Sequence, residues 1–150
     1  MIQVVKADHK NLKDLVPLFD AYRIFYQQLS DKKKAETFLT KRLENKESIV
    51  FIAYKAQSAI GFVQLFPTFS SVSLESFYFL NDLFVSPKFR GIGIGEKLLK
   101  EAKKHCSLLK YKGLALETAK ENPAQHLYEK LGWVKDEDFL HYFWKCPKSE

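Results

Sequence analysis

The feature that most limits how this chain folds is a β-rich run that ends in a glycine cluster, ESFYFLNDLFVSPKFRGIGIGEKLL, at residues 75–99. Pro87 stops the predicted strand, and three glycines, Gly91, Gly93 and Gly95, follow shortly after it. Beyond them, apolar side chains at 3.6-residue spacing predict a helix that begins near Gly95. A strand that enters a helix through glycines gathers unpaired N–H groups at the positive end of the helix dipole. Such a junction favours an anion, and phosphate is the usual one.

The spacing of these glycines excludes two common nucleotide-binding loops. A dinucleotide fingerprint needs Gly-x-Gly-x-x-Gly, but the third position falls on Glu96 when counted from Gly91 and on Leu98 when counted from Gly93. A P-loop ends in Gly-Lys-Ser or Gly-Lys-Thr, whereas Gly95 is followed by Glu96. The chain therefore carries a phosphate loop of another kind.

The remaining segments predict one mixed sheet covered by helices. A short opening strand is followed by two amphipathic helices, then by an antiparallel hairpin around Ala56 and Gln57 and by the strand described above. After the glycine loop come a helix, the apolar run GLALETA, a helix opened by Asn122 and Pro123, and the aromatic run FLHYFWKC as a last strand. This order is typical of an α/β or α+β domain whose sheet is antiparallel at first and parallel at the crossover.

Two motifs resemble those of the GNAT superfamily of N-acetyltransferases. Arg90, Gly93 and Gly95 match that family's pyrophosphate-binding pattern, Arg/Gln-x-x-Gly-x-Gly/Ala. NPAQHLYEKLGW resembles its second segment, in which an asparagine opens a helix that carries a tyrosine. The predicted order of elements agrees from end to end. The resemblance implies a GNAT fold over residues 1–150 as a single domain, with a mixed sheet of about six to seven strands and about four helices.

The resemblance also implies a reaction, the transfer of an acetyl group from acetyl-CoA to a primary amine by direct attack in a ternary complex. The residues it implies for cofactor binding are Phe84, Val85, Arg90, Gly91, Ile92, Gly93, Ile94, Gly95 and Asn122. Tyr128 matches the tyrosine that often acts as a general acid toward the CoA sulfur. The acceptor amine is expected to contact Tyr22, Tyr26, Asn81 and Asp82.

The general base has more than one candidate. LNDLFVSPKFRGIGIG is most similar to the diamine, polyamine and histone-type branch, in which a Glu-Asp pair commonly stands where this chain has Asn81 and Asp82. Asn81 cannot accept a proton, so Asp82 is the expected base. Glu75, a chain of water molecules, or an amine that enters already neutral are the alternatives. The acceptor itself stays open between a small amine, a polyamine, an amino acid and a lysine side chain of a protein.

Composition limits the other classes of function. The 150 residues contain no apolar run of the roughly 20 residues that a membrane span needs and no metal-ligand spacing among the histidines and cysteines. We therefore expect a cytoplasmic protein with no metal and no membrane partner. The net charge of +6 keeps a nucleic-acid-binding protein as an alternative, although no nucleic acid partner is expected. A non-catalytic CoA-binding regulatory module is another. A homodimer is expected because aromatic edge segments such as FLHYFWKC pair across the dimer in many relatives.

Overall fold

The structure, a computed structural model, describes residues 1–148. The elements are strand β1 (Ile2–Lys6), helices α1 (Leu12–Phe25) and α2 (Lys32–Glu44), strands β2 (Ile49–Lys55), β3 (Ser58–Ser70) and β4 (Glu75–Val85), helix α3 (Ile94–Leu108), strand β5 (Leu114–Ala115) and helix α4 (Ala124–Lys130). The backbone divides into two compact units, Met1–Glu117 and Thr118–Glu150. Across the described residues, none of the helices has the length and apolar character that a membrane crossing requires.

The first unit contains one mixed sheet in the order β1-β2-β3-β4-β5. Strands β1 to β4 pair antiparallel, and β5 pairs parallel to β4 through only two residue pairs, Tyr78 with Leu114 and Phe79 with Ala115. The predicted mixed sheet is confirmed, as are the hairpin between β2 and β3 and the four α-helices of the described chain. Because β4 runs on to Val85, its last six residues extend beyond the end of its pairing with β5.

The predicted number of six to seven strands is wrong, because residues 1–148 contain five. GLALETA forms only the two-residue strand β5, in which Ala115 is exposed, although a longer buried strand is expected from the sequence. FLHYFWKC contains no strand in its described residues, and Phe139, Phe143 and Trp144 are about four-fifths exposed. High β propensity reports how well side chains fit a pleated surface, so it does not by itself supply a pairing partner.

The two faces of the sheet carry different helices. Helices α1 and α2 cover one face, where Phe62 of β3 packs with Phe19 of α1 and with Phe84 of β4 in a buried apolar cluster. Helix α3 covers the opposite face, where His105 contacts the rings of Phe51 and Tyr78. The sheet is therefore buried on both sides, which explains the nearly continuous apolar runs in β2 and β3.

Strand β4 contains a β-bulge at Asn81. Leu80 pairs with Leu65 of β3 and Asp82 pairs with Gln64, so Asn81 is one extra residue on β4. A single extra residue changes which sheet face the following side chains point to. Tyr78, before the bulge, accordingly contacts α3, whereas Phe84, after the bulge, contacts Tyr22 of α1.

A close approach at Gly61 fixes the end of β4 against the beginning of α3. A Cβ atom added at Gly61 would lie 3.0 Å from the carbonyl oxygen of Phe84, 3.3 Å from Leu98 Cδ1 and 3.4 Å from Ile94 Cγ2. Glycine is the one residue that leaves this space open to backbone and helix side chains. The close approach brings the first turn of α3 next to the last residues of β4.

Candidate active site

The glycine loop leads directly into the N-terminus of α3. Gly91 and Gly93 have φ angles of 79° and 88°, in the left-handed region that favours glycine, and a Cβ atom on either would meet no atom within 4 Å. Gly93 precedes the first helical residue, Ile94, and no side chain among the described residues caps α3. The first N–H groups of a 15-residue helix thus face open space, a geometry that favours an anion such as phosphate.

The other residues predicted for this loop are placed as follows. Gly95 lies in the first turn of α3, and Ile92 is 58% exposed. Ile94 is only 1% exposed, because its side chain packs in the core next to Gly61, so its backbone N–H alone is available to a ligand. The loop therefore offers mainly main-chain groups.

Arg90 connects the loop to the end of β4. Its Nε donates to the carbonyl oxygen of Val85 at 2.8 Å, and its guanidinium carbon lies 5.4 Å from the ring centroids of both Phe25 and Phe84. The two rings hold the guanidinium group through cation–π contacts. The side chain of Arg90 is therefore directed toward β4 and α1, while its backbone belongs to the glycine loop.

Asp82 is a buried carboxyl group surrounded by neutral hydrogen-bond donors. It is 4% exposed and accepts hydrogen bonds from Gln64 Nε2 at 2.5 Å, from Asn81 Nδ2 at 2.9 Å and from the side chain of Tyr22. Burial raises the pKa of the Asp82 carboxyl above its usual 3.8, and the three hydrogen bonds oppose that rise in part. The structure thus brings together Asp82, Asn81 and Tyr22, three of the residues predicted for the acceptor site.

Gln64 is a member of this cluster that the sequence analysis missed. It is 0% exposed, and its Oε1 has no hydrogen-bond partner in the described residues. Leaving such a buried acceptor unpaired costs about 1–3 kcal/mol. The available signal was a single amide residue in the middle of the otherwise apolar run SAIGFVQLFP.

At the C-terminal end of α1, the rings of Tyr22 and Tyr26 lie next to each other, with Tyr22 bonded to Asp82 and Tyr26 closer to solvent. The ring of Tyr22 lies 5.1 Å from that of Tyr26 and 5.6 Å from that of Phe62, in edge-to-face contacts. Tyr26 is 50% exposed and also contacts Phe25. Packing thus accounts for the inner ring, Tyr22, while Tyr26 presents a half-exposed surface next to it.

A second buried carboxyl group, Asp20, fixes the segment between α1 and α2. Asp20 is 2% exposed and accepts hydrogen bonds from Ser30 Oγ at 2.6 Å and from the Asp31 N–H at 2.8 Å, with Arg23 Nη1 3.9 Å away. The hydrogen bond from Ser30 is the largest of the effects that hold the pKa of Asp20 below 3.8. Sequence analysis did not single out this residue, whose hydrogen bonds join α1 to the segment just before α2.

Glu75 does not belong to the cluster around Asp82. It is exposed and begins β4, seven residues before Asp82, and a strand of that length spans about 23 Å. The structure thus separates Glu75 from Asp82, and Glu75 as the base stays an alternative prediction. No group of three or more histidine, cysteine, aspartate or glutamate side chains able to hold a metal ion occurs among residues 1–148.

Asn122 and Tyr128 lie in the second unit. Asn122 Oδ1 accepts a hydrogen bond from the Ala124 N–H at 2.9 Å, so the predicted capping side chain is present at the start of α4. Tyr128 is 8% exposed, and its ring lies 6.0 Å from that of Trp133. Gly132 ends α4 with a φ of 101°, while the Trp133 N–H donates to the Tyr128 carbonyl. The motif NPAQHLYEKLGW thus forms the predicted helix with its predicted termination.

Comparison with known proteins decides the family. A family model described as an acetyltransferase (GNAT) domain matches residues 46–135, which is more than half of the chain. The chain belongs to the GNAT acetyltransferase family. A relative in Bacillus subtilis, described as an uncharacterised N-acetyltransferase, is 48% identical over 147 residues, which cover 97% of this chain and 99% of the relative. The crystal structure of a probable acetyltransferase is 34% identical, with a TM-score of 0.91 over 98% of this chain and 99% of that one.

Two more distant solved structures share the GNAT fold with this chain. An aminoglycoside N-acetyltransferase in complex with CoA is 20% identical, with a TM-score of 0.80 over 97% of this chain and 96% of that one. A protein of Clostridium acetobutylicum solved with acetyl-CoA is 17% identical, with a TM-score of 0.77 over 95% of this chain and 96% of that one. The GNAT fold predicted from the sequence is confirmed, and the protein is a GNAT acetyltransferase.

Proposed function

We propose that this GNAT protein transfers an acetyl group from acetyl-CoA to a primary amine by direct attack in a ternary complex. The observation that carries the proposal is the course of one strand. From the buried carboxyl of Asp82, β4 continues past the end of β5 and then enters an open glycine loop at the N-terminus of α3. The CoA and acetyl-CoA bound in the two more distant GNAT structures support the identity of the donor.

In this proposal the donor is held mainly by main-chain groups. The N–H groups of the glycine loop bind the pyrophosphate, and the positive end of the α3 dipole attracts its negative charge. Phe84 and Val85 lie on the part of β4 that extends beyond β5, and this part of the strand is proposed to bind the pantetheine arm, which would compete with Arg90 for the Val85 carbonyl oxygen. Asn122 is proposed to contact the cofactor in addition to capping α4. Acetyl-CoA, when bound, supplies the acetyl group activated as a thioester.

Asp82 is the proposed general base. The nitrogen of the amine forms a bond to the carbonyl carbon, the C–S bond breaks, and the proton that the nitrogen loses passes to Asp82. Burial raises the pKa of the Asp82 carboxyl above its usual value, and a carboxylate with a higher pKa is a stronger base. Tyr128 is the proposed general acid that gives a proton to the departing sulfur.

Tyr22, Tyr26, Asn81 and Asp82 form the proposed contact surface for the acceptor. The relatives reported above lend no support to the polyamine or histone branch, so the proposal is confined to primary amines. A lysine side chain of a protein is an alternative acceptor. The cytoplasmic location, the single domain and the homodimer stay predictions.

A panel of amines tests the reaction. The protein is mixed with acetyl-CoA and, in turn, spermidine, lysine, thialysine, an aminoglycoside and a histone-tail peptide, while free thiol release and acetylated product are measured. At least one amine is expected to yield equal amounts of both. If acetyl-CoA binds but no amine in the panel is acetylated, a non-catalytic CoA-binding module becomes the better account.

Substitution of Tyr128 tests the assignment of the acid. Tyr128→Phe removes the phenolic proton and is expected to lower kcat by about 100- to 10,000-fold with unchanged affinity for CoA. Tyr142→Phe is the matched control, because Tyr142 is 84% exposed and has no assigned role. A kcat for Tyr128→Phe equal to that of the control would mean that Tyr128 only packs.

A further inference from the structure

Gln64 has a fully buried amide side chain next to Asp82, the proposed base, and the proposed reaction assigns it no role. Gln64 on β3 lies opposite Asp82 on β4, on the sheet face that α1 covers. Its Nε2 donates to Asp82 Oδ2, while its Oε1 has no hydrogen-bond partner among the described residues. A buried carbonyl oxygen without a partner is unfavourable, and such groups are concentrated where a ligand or a water molecule completes the bonding.

Reversing the amide of Gln64 does not satisfy it. The reversed group would place Oε1 against the Asp82 carboxyl, which accepts hydrogen bonds from Tyr22 and Asn81 and therefore acts as an acceptor. The Nε2 group would then be unpaired instead. In the orientation that the structure has, the unpaired acceptor Oε1 belongs to the same amide group whose Nε2 donates to the carboxylate of Asp82.

We propose that Gln64 is a positioning residue of the acceptor site, whose Oε1 receives one N–H of the amine while Asp82 receives the other. The proposal rests on acetyl transfer at this site and narrows its substrates. A neutral primary amine has two N–H groups and a lone pair, so it satisfies both oxygens and keeps the lone pair for attack on the thioester. An N-methyl amine has a single N–H, which leaves one buried oxygen unpaired, and sites of this kind reject such analogues.

The accessible side of the cluster is the one formed by Tyr22 and Asn81. Tyr22 is half-buried and Asn81 is exposed, whereas Gln64 and Asp82 are buried. We therefore expect the Tyr22 hydroxyl to stop donating to Asp82 when substrate binds. The amine would then reach Gln64 Oε1 and the Asp82 carboxylate from the side where Tyr22 and Tyr26 lie. The expected order is displacement of Tyr22 from Asp82, followed by pairing of the amine with Gln64 and Asp82.

The test compares a primary amine that is a substrate with its N-methyl analogue in three proteins. Gln64→Met keeps the length of the side chain but removes both polar groups, and the wild type and Gln57→Met serve as references because Gln57 is exposed in the β2–β3 turn. We expect Gln64→Met to lower kcat/KM for the primary amine about 10- to 100-fold, the value of one hydrogen bond to a charged or reacting group. The ratio of kcat/KM for the primary amine to that for the N-methyl analogue should fall by the same factor. The affinity for acetyl-CoA should not change.

A pH profile provides a readout that a purely structural role would not change. Loss of the Gln64 donor removes one hydrogen bond from the ionised form of Asp82, so the acidic limb of kcat/KM is expected to move to higher pH in Gln64→Met. An unchanged preference and an unchanged acidic limb would overturn the proposal. If no amine reacts with the wild type, the proposed function itself fails, which is a different result.

A measurement on the wild type keeps the proposal testable if Gln64→Met does not fold. For the wild type, the ratio of kcat/KM for the primary amine to that for its N-methyl analogue is measured. It is compared with the ratio of the rate constants of the same two amines in the uncatalysed aminolysis of a simple acetyl thioester. We expect the enzyme's preference to be at least tenfold larger. Equal preferences would show that no second N–H is recognised and would overturn the proposal.

Discussion

Adding one methyl group at Gly61 tests how the end of β4 is held against α3. In Gly61→Ala the new Cβ would lie 3.0 Å from the Phe84 carbonyl oxygen, about 0.4 Å closer than the 3.4 Å at which ordinary contact begins. Leu98 Cδ1 and Ile94 Cγ2, at 3.3 and 3.4 Å, close the other side. Overpacking of this kind costs about 1–3 kcal/mol. The free energy of unfolding in urea should fall by that amount, and Tm should fall by about 2–12 °C.

The same substitution is expected to weaken CoA binding. Phe84 cannot move without moving the backbone that is proposed to bind the pantetheine arm, and Ile94 begins the helix whose N-terminus is proposed to bind the pyrophosphate. Calorimetric titration with CoA measures the affinity. Gly113→Ala is the matched control, because a Cβ there meets no atom within 4 Å. If Gly61→Ala matches Gly113→Ala in both stability and CoA affinity, the close approach does not position the site.

Two further substitutions probe the loop and the segment before α2. Gly93→Ala must hold a φ of 88°, so it should destabilise the loop by about 1–2 kcal/mol and weaken CoA binding, as titration would show; unchanged affinity would contradict an anion site there. Asp20→Asn should lower the free energy of unfolding at pH 7 by about 1–3 kcal/mol. Because the pKa of Asp20 is lowered in the folded protein, the stabilising effect of its carboxylate is present above 3.8 and is lost as the pH falls below it. The free energies of unfolding of the two proteins in urea should therefore converge in acid. A difference that stays constant with pH would refute this reasoning.

Local signals in the sequence were sufficient for the glycine loop and for the helices around it. Gly91 and Gly93 adopt the left-handed conformation that only glycine takes readily, and α3 begins at Ile94, one residue from the predicted start. Asn122 caps α4 as its position before a proline predicted. Each of these features depends on a few consecutive residues, so periodicity and spacing report it directly.

Features that depend on distant pairing could not be predicted in the same way. The alternation of buried residues in β4 continues evenly through Asn81, so the bulge leaves no trace in the hydrophobic pattern. The partnership of Gln64 with Asp82 depends on the register that this bulge sets between β3 and β4. The short length of β5 likewise depends on where pairing with β4 stops, and a run such as GLALETA contains no information about that point.

The bulge at Asn81 lets β4 place two side chains that are four residues apart on opposite faces of the sheet. Tyr78 contacts α3, whereas Asp82 accepts a hydrogen bond from Tyr22 of α1, although residues four apart share a face in a regular strand. Leu80 and Asp82 pair with the adjacent residues Leu65 and Gln64, so the two paired parts of β4 already fit one regular strand without Asn81. Loss of Asn81 is therefore expected to keep both side chains in their present layers. What the extra residue adds is a hydrogen-bond donor to Asp82, held at a position that no regular strand would provide.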